Sequence, residues 1–234
     1  MSIFRIISKL DFNLLQNGAS DFRYLLARGY PRNAALALVG NRYGLDRTGR
    51  QLLHRGVYAP AAAVARRAKL RSLAEVAGLP LGLDGHNVLI TLECARRGVP
   101  LVAADDGFIR DVGEISRGFR PSAATGELLA LMADYLAAHR AGELHIFYDA
   151  PLSRSGELAR RTLEIFTARG LKVKTATATV PEKELAGFPG PVCTSDTDLL
   201  DQAAVVVDLA GEIIRGRLRV KVIQLSDPQE LSAG

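Results

Sequence analysis

From residue 79 to residue 207 the apolar positions come in short runs separated by stretches of helical period. The runs fall at 79–84, 99–104, 144–149, 171–176, 191–194 and 204–207, each of a length that suits a buried strand. Between them, apolar residues recur at three- and four-residue spacing near 87–97, 122–140, 153–169 and 197–203, which predicts helices. Alternation of this kind implies an α/β fold, a mainly parallel sheet with helices on both faces. The tail from Arg217 to Leu225 alternates apolar and basic positions and predicts a half-exposed edge strand.

Before residue 79 the pattern is helical. Ser20-Asp21 predicts a helix start, Phe22, Leu25 and Leu26 follow at helical spacing, and Gly29-Tyr30-Pro31 breaks the run. Pro31 suits the opening of a second helix, Arg32 to Asn41, and Asp46 suits the cap of a third that runs through Leu52 and Leu53. Ala59 to Ala77 predicts a connector helix. The expected organisation is therefore a small basic helical domain with its connector at 1–78 and an α/β domain at 79–234. Three short helices share the outline of a helix-turn-helix, but that outline is common, and a helical cap or partner-binding unit is the better reading. Met1 to Leu15 is interrupted by Arg5, Lys9 and Asp11 and reads as a short amphipathic helix rather than a secretory signal.

Composition changes this picture little. The 234 residues are 48% apolar and 24% charged, ample for a core. No apolar run approaches the roughly 20 residues needed to span a bilayer. No membrane partner and a cytoplasmic location are expected. Cys94 and Cys193 form neither a disulfide framework nor a zinc spacing, so buried, inert thiols are expected. The charge distribution says more. Residues 1–78 hold 13 Lys and Arg against 4 Asp and Glu, whereas residues 79–234 hold 17 against 21. A basic front fits a nucleic-acid backbone, with Arg42, Arg47, Arg50 and Arg55 as phosphate contacts, or a solvated arginine surface.

The chemistry lies where the apolar runs end. Leu81-Gly-Leu ends on Asp84, 99–104 runs into Asp105-Asp106, 144–148 into Asp149, and Val192-Cys-Thr into Ser195-Asp196-Thr-Asp198. In open α/β sheets ligands sit outside the C-terminal strand ends. Parallel neighbouring strands would bring Asp84, Asp106, Asp149, Asp196 and Asp198 together as catalytic carboxylates. Clustered carboxylates need a counter-charge. Oxygen-only donors favour Mg²⁺ or Mn²⁺, with Asp84, Asp149, Asp196 and Asp198 as metal ligands. Such ions assist phosphodiester hydrolysis. The plainer alternative is that strand-end aspartates cap helices and shape turns. Asn87 can orient a carboxylate, donate to a phosphate or cap its helix. His86 has no second histidine at a useful spacing and is read as facing substrate. Asp149-Ala-Pro-Leu-Ser153-Arg154-Ser155-Gly-Glu157 joins a strand tip to a helix start, so Ser153, Arg154 and Ser155 are substrate-binding candidates. Glu127 is a further acidic candidate, with a first-turn dipole partner as its bland reading.

These motifs carry a resemblance. Gly-Leu-Asp84-Gly-His-Asn87, Ala-Asp105-Asp106-Gly-Phe-Ile-Arg-Asp111, Tyr-Asp149-Ala-Pro-Leu-Ser-Arg-Ser-Gly-Glu157 and Thr-Ser-Asp196-Thr-Asp198 resemble the prokaryotic family catalogued as "domain of unknown function 434", over about residues 20–214. The same order of acidic motifs is similar to PIN-like nucleases, especially their NYN branch. That similarity implies a PIN-like fold and carboxylates holding Mg²⁺ or Mn²⁺ to cut RNA, less often DNA. Asp84, Asp149, Asp196 and Asp198 match the acids of that pattern. Asp106 has no equivalent in it, and its helical glutamate falls loosely at Glu127. The expected function is thus a metal-dependent nuclease, acting on RNA ahead of DNA. The alternatives are a non-catalytic nucleic-acid-binding protein with the same fold, and a phosphatase or nucleotide hydrolase. A second copy of the chain is a further candidate partner.

Overall fold

The computed structural model describes residues 11–113, 121, 123–152 and 154–225. Its strands, in chain order, are β1 Leu81–Asp84, β2 Leu101–Ala103, β3 Ile109–Asp111, β4 Leu144–Asp149, β5 Val173–Ala178, β6 Val192–Cys193, β7 Val206–Val207 and β8 Ile223–Gln224. The chain forms two compact units, and neither is one continuous segment. Among the described residues, the first gathers 11–68, Gly98–Gly113 and 220–225. The second takes Lys69–Arg97 and Glu114–Arg219. The boundary expected at 78/79 is therefore replaced by a chain that leaves the first unit, returns to it twice and ends in it.

Among the described residues, the first unit holds three helices, Phe12–Ala27, Arg32–Arg42 and Arg47–Gly56, most of a fourth, Pro60–Lys69, and a small sheet. The first helix begins at Asp11, whose carboxylate accepts the N–H groups of Asn13 and Leu14. Ser20-Asp21 thus lies inside a helix, not at its start: the apolar stripe Leu15, Ala19, Phe22 runs straight through it into the core. Asp46 caps the third helix as the sequence implies. The sheet has the order β3-β2-β8. β2 pairs with β3 antiparallel and with β8 parallel. Val102, Ile223 and Leu225 complete the core around Leu15, Phe22 and Leu53. The edge strand expected over 217–225 is reduced to two residues.

The second unit is an α/β layer structure. Its sheet has the order β5-β4-β1-β6-β7. Every pairing is parallel. β1 lies at the centre and is buried along its whole length, which explains its unbroken apolar run. From β1 the chain adds β4 and then β5 on one side, then crosses back to add β6 and β7 on the other. The reversal of direction lies between β1 and β6, and such a topological switch point opens a crevice at the C-terminal strand ends.

Helices Gly85–Arg96, Ala123–Ala138 and Ser155–Thr167 pack in sequence against one another, and the last covers β4 and β5. Pro181–Ala186 packs on β1, on the side where Gly82 leaves room for Leu185 and Phe188. Among the described residues no helix is long and apolar enough to cross a membrane. Cys94 and Cys193 are both buried. The connector expected over 59–77 is helical only for Pro60–Lys69, after which turns lead into β1.

Candidate functional site: three carboxylate strand tips at a switch point

β4, β1 and β6 are neighbours, and each delivers an acid at or beyond its C-terminal end. Asp84 is the last residue of β1 and also the N-cap of Gly85–Arg96, its Oδ1 accepting the Asn87 N–H at 3.1 Å. Asp149 ends β4. Asp196 follows β6 as N-cap of Thr197–Gln202, accepting the N–H groups of Asp198 and Leu199 at 3.0 and 3.1 Å. The plain capping role and the convergence of acids thus coexist at the same residues. Asp198 sits in the first turn of that helix, exposed.

The tips are tied to one another by polar bonds. Thr194 Oγ1 donates to Asp84 Oδ2 at 3.3 Å, across from β6 to β1. The Asn87 side-chain oxygen accepts both the backbone N–H and the hydroxyl of Ser195, each at 2.9 Å. Asn87 therefore uses its acceptor to fix the loop after β6. His86 Nδ1 accepts the Asp149 backbone N–H at 2.9 Å and lies 2.9 Å from Asp149 Oδ2. It is buried edge-on against Tyr148, so it reaches Asp149 from the protein interior. Gly85 is required here because a Cβ would stand 2.4 Å from the Tyr148 ring.

Electrostatics single out Asp84. The side chain is 5% exposed. Burial pushes its carboxyl up to about 7, opposed by the Asn87 N–H and reinforced by Asp149, Glu182 and Asp196. Glu182 is a residue that the sequence pattern missed. It lies in the first turn of Pro181–Ala186, four residues beyond the end of β5, so it is not the terminal residue of any apolar run. Its only sequence signal is Pro181-Glu182 opening a helix after a strand. Thr194 and Ser195 were likewise legible only as neighbours of Asp196.

The other expected site residues lie elsewhere or work differently. Asp106 belongs to the first unit, fully buried between β2 and β3, not to the parallel sheet. Arg110 holds both its oxygens at 2.7 and 2.9 Å, and Arg66 adds a contact at 3.3 Å. It is the anion of a buried ion-pair cluster. The run 99–104 looked like the other strands because its apolar residues are equally buried, but they are buried in the other unit. Asp105 is also committed there, to Arg23 at 2.7 and 2.8 Å. Ser155 donates to the backbone oxygens of Asp149 and Leu152 and holds the loop after β4. Arg154 adopts a left-handed backbone with φ 65° and pairs with Glu157 at 3.2 Å on the surface. Ser153 lies outside the described residues. Glu127 forms a surface ion pair with Arg96. Of the basic front, Arg50 bonds to Leu45 O and Asn41, and Arg55 bonds to Asp111. Arg42 pairs with Asp21 but stays largely exposed.

Among the described residues, no three His, Cys, Asp or Glu side chains are already gathered closely enough to hold a metal ion. The donor set nevertheless fits a hard cation in kind. It consists of oxygen donors on three adjacent strand tips, and the carboxylates repel one another there.

Fold and site define an α/β protein with a five-stranded parallel sheet and acidic strand tips at its switch point. Residues 73–212 match the family described as Domain of unknown function (DUF5616), and the chain belongs to it. Residues 14–69 match a second family, described as Protein of unknown function (DUF434). The single resemblance read over about 20–214 thus divides in two near residue 70. A similar protein is Uncharacterized protein MJ0935 of Methanocaldococcus jannaschii, 29% identical over 207 residues that cover 86% of this chain and 96% of that protein. No solved structure matches the chain.

Proposed function

We propose that the chain is a metal-dependent phosphodiester hydrolase of the PIN-like, NYN type, cytoplasmic and acting on RNA ahead of DNA. The observation that supports this reading is the arrangement of β4, β1 and β6. Three adjacent parallel strands lead into Asp149, Asp84 and Asp196 at a switch point, where α/β sheets bind ligands.

Asp84, Asp149, Asp196 and Asp198 are the residues that would hold Mg²⁺ or Mn²⁺. When bound, such an ion supplies Lewis acidity toward a phosphoryl oxygen and toward water, together with the positive charge these carboxylates need. The chain's own contribution is positional. Thr194 and the Asn87 N–H fix the Asp84 carboxylate, His86 orients Asp149, and Asn87 anchors the Ser195 backbone that leads into Asp196. Arg154, exposed in the loop after β4, would meet an anionic substrate.

The test is calorimetric titration with Mn²⁺, wild type against Asp84→Asn with Asp196→Asn, followed by labelled single- and double-stranded RNA and DNA. Micromolar binding lost in the double variant, with metal-dependent cleavage lost alongside it, is the expected result. Absence of binding both alone and with a short RNA present would overturn the metal reading and leave a binding protein without catalysis. Turnover of small phosphate esters but not of nucleic acids would reassign the same site to a phosphatase.

A further inference from the structure

The first unit presents an exposed aromatic and basic face that the acidic site does not use. The helix Phe12–Ala27 ends in a Schellman motif: Gly29, with φ 79°, donates to Leu26 O, and the Tyr30 N–H donates to Leu25 O at 3.1 Å. Those bonds close the last carbonyls, so the helix end offers a phosphate few bare acceptors. They also fix the backbone of Tyr30, which is 55% exposed. Tyr24 is 59% exposed, and the Arg28 guanidinium sits 5.0 Å over its ring.

Asp21, Tyr24 and Arg28 share one stripe of the helix by their spacing. The second helix joins that stripe through the ion pair of Arg42 with Asp21 at 3.5 Å. Leu38, one turn before Arg42, is 59% exposed. Complementing the helix dipole accounts for Arg28 alone. It does not account for the exposure of Tyr24, Tyr30 and Leu38 in the same two helices and their turn. The described residues of the first unit carry eleven Lys and Arg against six Asp, a net positive charge that favours a polyanion. Aromatic rings interleaved with arginines, in a basic field, are the features that bind single strands by stacking.

We propose that Tyr24, Arg28, Tyr30, Leu38 and Arg42 form a docking face for single-stranded nucleic acid. Bases stack on the two tyrosine rings and phosphates lie against the two guanidinium groups. The class of partner rests on the function proposed above, but the residues belong to the other unit.

The test is fluorescence anisotropy with a labelled 12-nucleotide RNA, the same DNA sequence and the RNA duplex. The full chain carries Asp84→Asn, and chelator is present, so that no cleavage intervenes. Single strands are expected to bind more tightly than the duplex. Tyr24→Ala and Tyr30→Ala should each weaken binding roughly tenfold, and Tyr24→Phe should not. Arg28→Ala should reduce the slope of log affinity against log salt by about one. Unchanged affinity in Tyr24→Ala with Tyr30→Ala, preference for the duplex, or no binding of any strand overturns the proposal. Unchanged binding in the tyrosine variants, with metal-dependent cleavage by the chain that keeps Asp84, assayed separately with Mn²⁺, removes the face and leaves the acidic site. Tyrosine-dependent binding without any cleavage does the reverse. The substituted positions are exposed, and circular dichroism of each variant verifies that it remains folded.

Discussion

At 5% exposure, with Asp149, Glu182 and Asp196 as electrostatic neighbours, the Asp84 carboxylate lowers the stability of the fold that buries it. Its ordinary value is 3.8, and in the folded chain it lies near 7. Between those values the native state holds a proton that the unfolded state releases. The contribution of Asp84 to stability therefore falls as pH rises from about 4 to about 7 and is level above. Asparagine is as good an N-cap as aspartate and carries no charge. In chelator, Asp84→Asn should match wild type near pH 4 and exceed it by a few kcal/mol at pH 8, since each pH unit between the two values contributes about 1.4 kcal/mol. Urea denaturation at the two pH values measures this, and an equal gap at both would sink the assignment. Asp106 contributes through its ion pairs. It is the buried partner of Arg110 and Arg66, so Asp106→Ala should cost about 3–5 kcal/mol by stranding buried cations. Mn²⁺ affinity of the folded protein should stay at its wild-type value, which calorimetry at low temperature checks.

Among the elements, the site depends on loops held across strands. The single Asn87 oxygen satisfies two donors of Ser195, which is 3% exposed. Asn87→Ala leaves both without that acceptor and should cost roughly 1–3 kcal/mol, read as a lower urea midpoint. Because Asp196 follows Ser195 directly, the same variant should weaken Mn²⁺ binding although Asn87 holds no cation. Unaltered metal affinity there would show that the loop after β6 keeps its place without the bond. The strands of this sheet were legible because central parallel strands are apolar on both faces. β1, β4, β6 and β7 fell within the expected runs, and β5 within two residues of its run. β3 was hidden because it is three residues long and its middle residue is Arg110, a charge that the Asp106 pairing makes tolerable in a core.

Across the whole chain, the first unit is assembled from three stretches of sequence. Its helices need Val102, Ile223 and Leu225 to finish their core. Gly56 lies so close to Val102 and Leu225 that a Cβ there would meet their side chains at 2.6 and 3.0 Å. A fragment of residues 1–78 should therefore lack a cooperative thermal transition by circular dichroism, whereas the full chain should show one. A fragment that melts cooperatively would mean that the three helices suffice. The basic charge of residues 1–78 also divides once the fold is seen. Arg23, Arg32 and Arg66 are drawn inward by Asp105, by the His54 and Val57 carbonyls, and by Asp106. Arg28 and Arg42 remain at the surface.

Local facts were written in the order of the residues: which runs are apolar enough to be buried strands, which residues stop them, and that Asp84, Asp149 and Asp196 are such stops. Those are properties of a few consecutive positions. The helical, basic character of the front of the chain was legible in the same way. Which strands become neighbours was open until the chain packed, because a parallel pairing joins segments that no local pattern relates. That pairing put β1 between β4 and β6 and sent the run 99–104, with Asp106, into another sheet. It also brought Glu182 within electrostatic reach of Asp84 from a helix that no strand tip announced. Burial, which sets the charge state of Asp84, belongs to the packed fold and is written in no single stretch of chain.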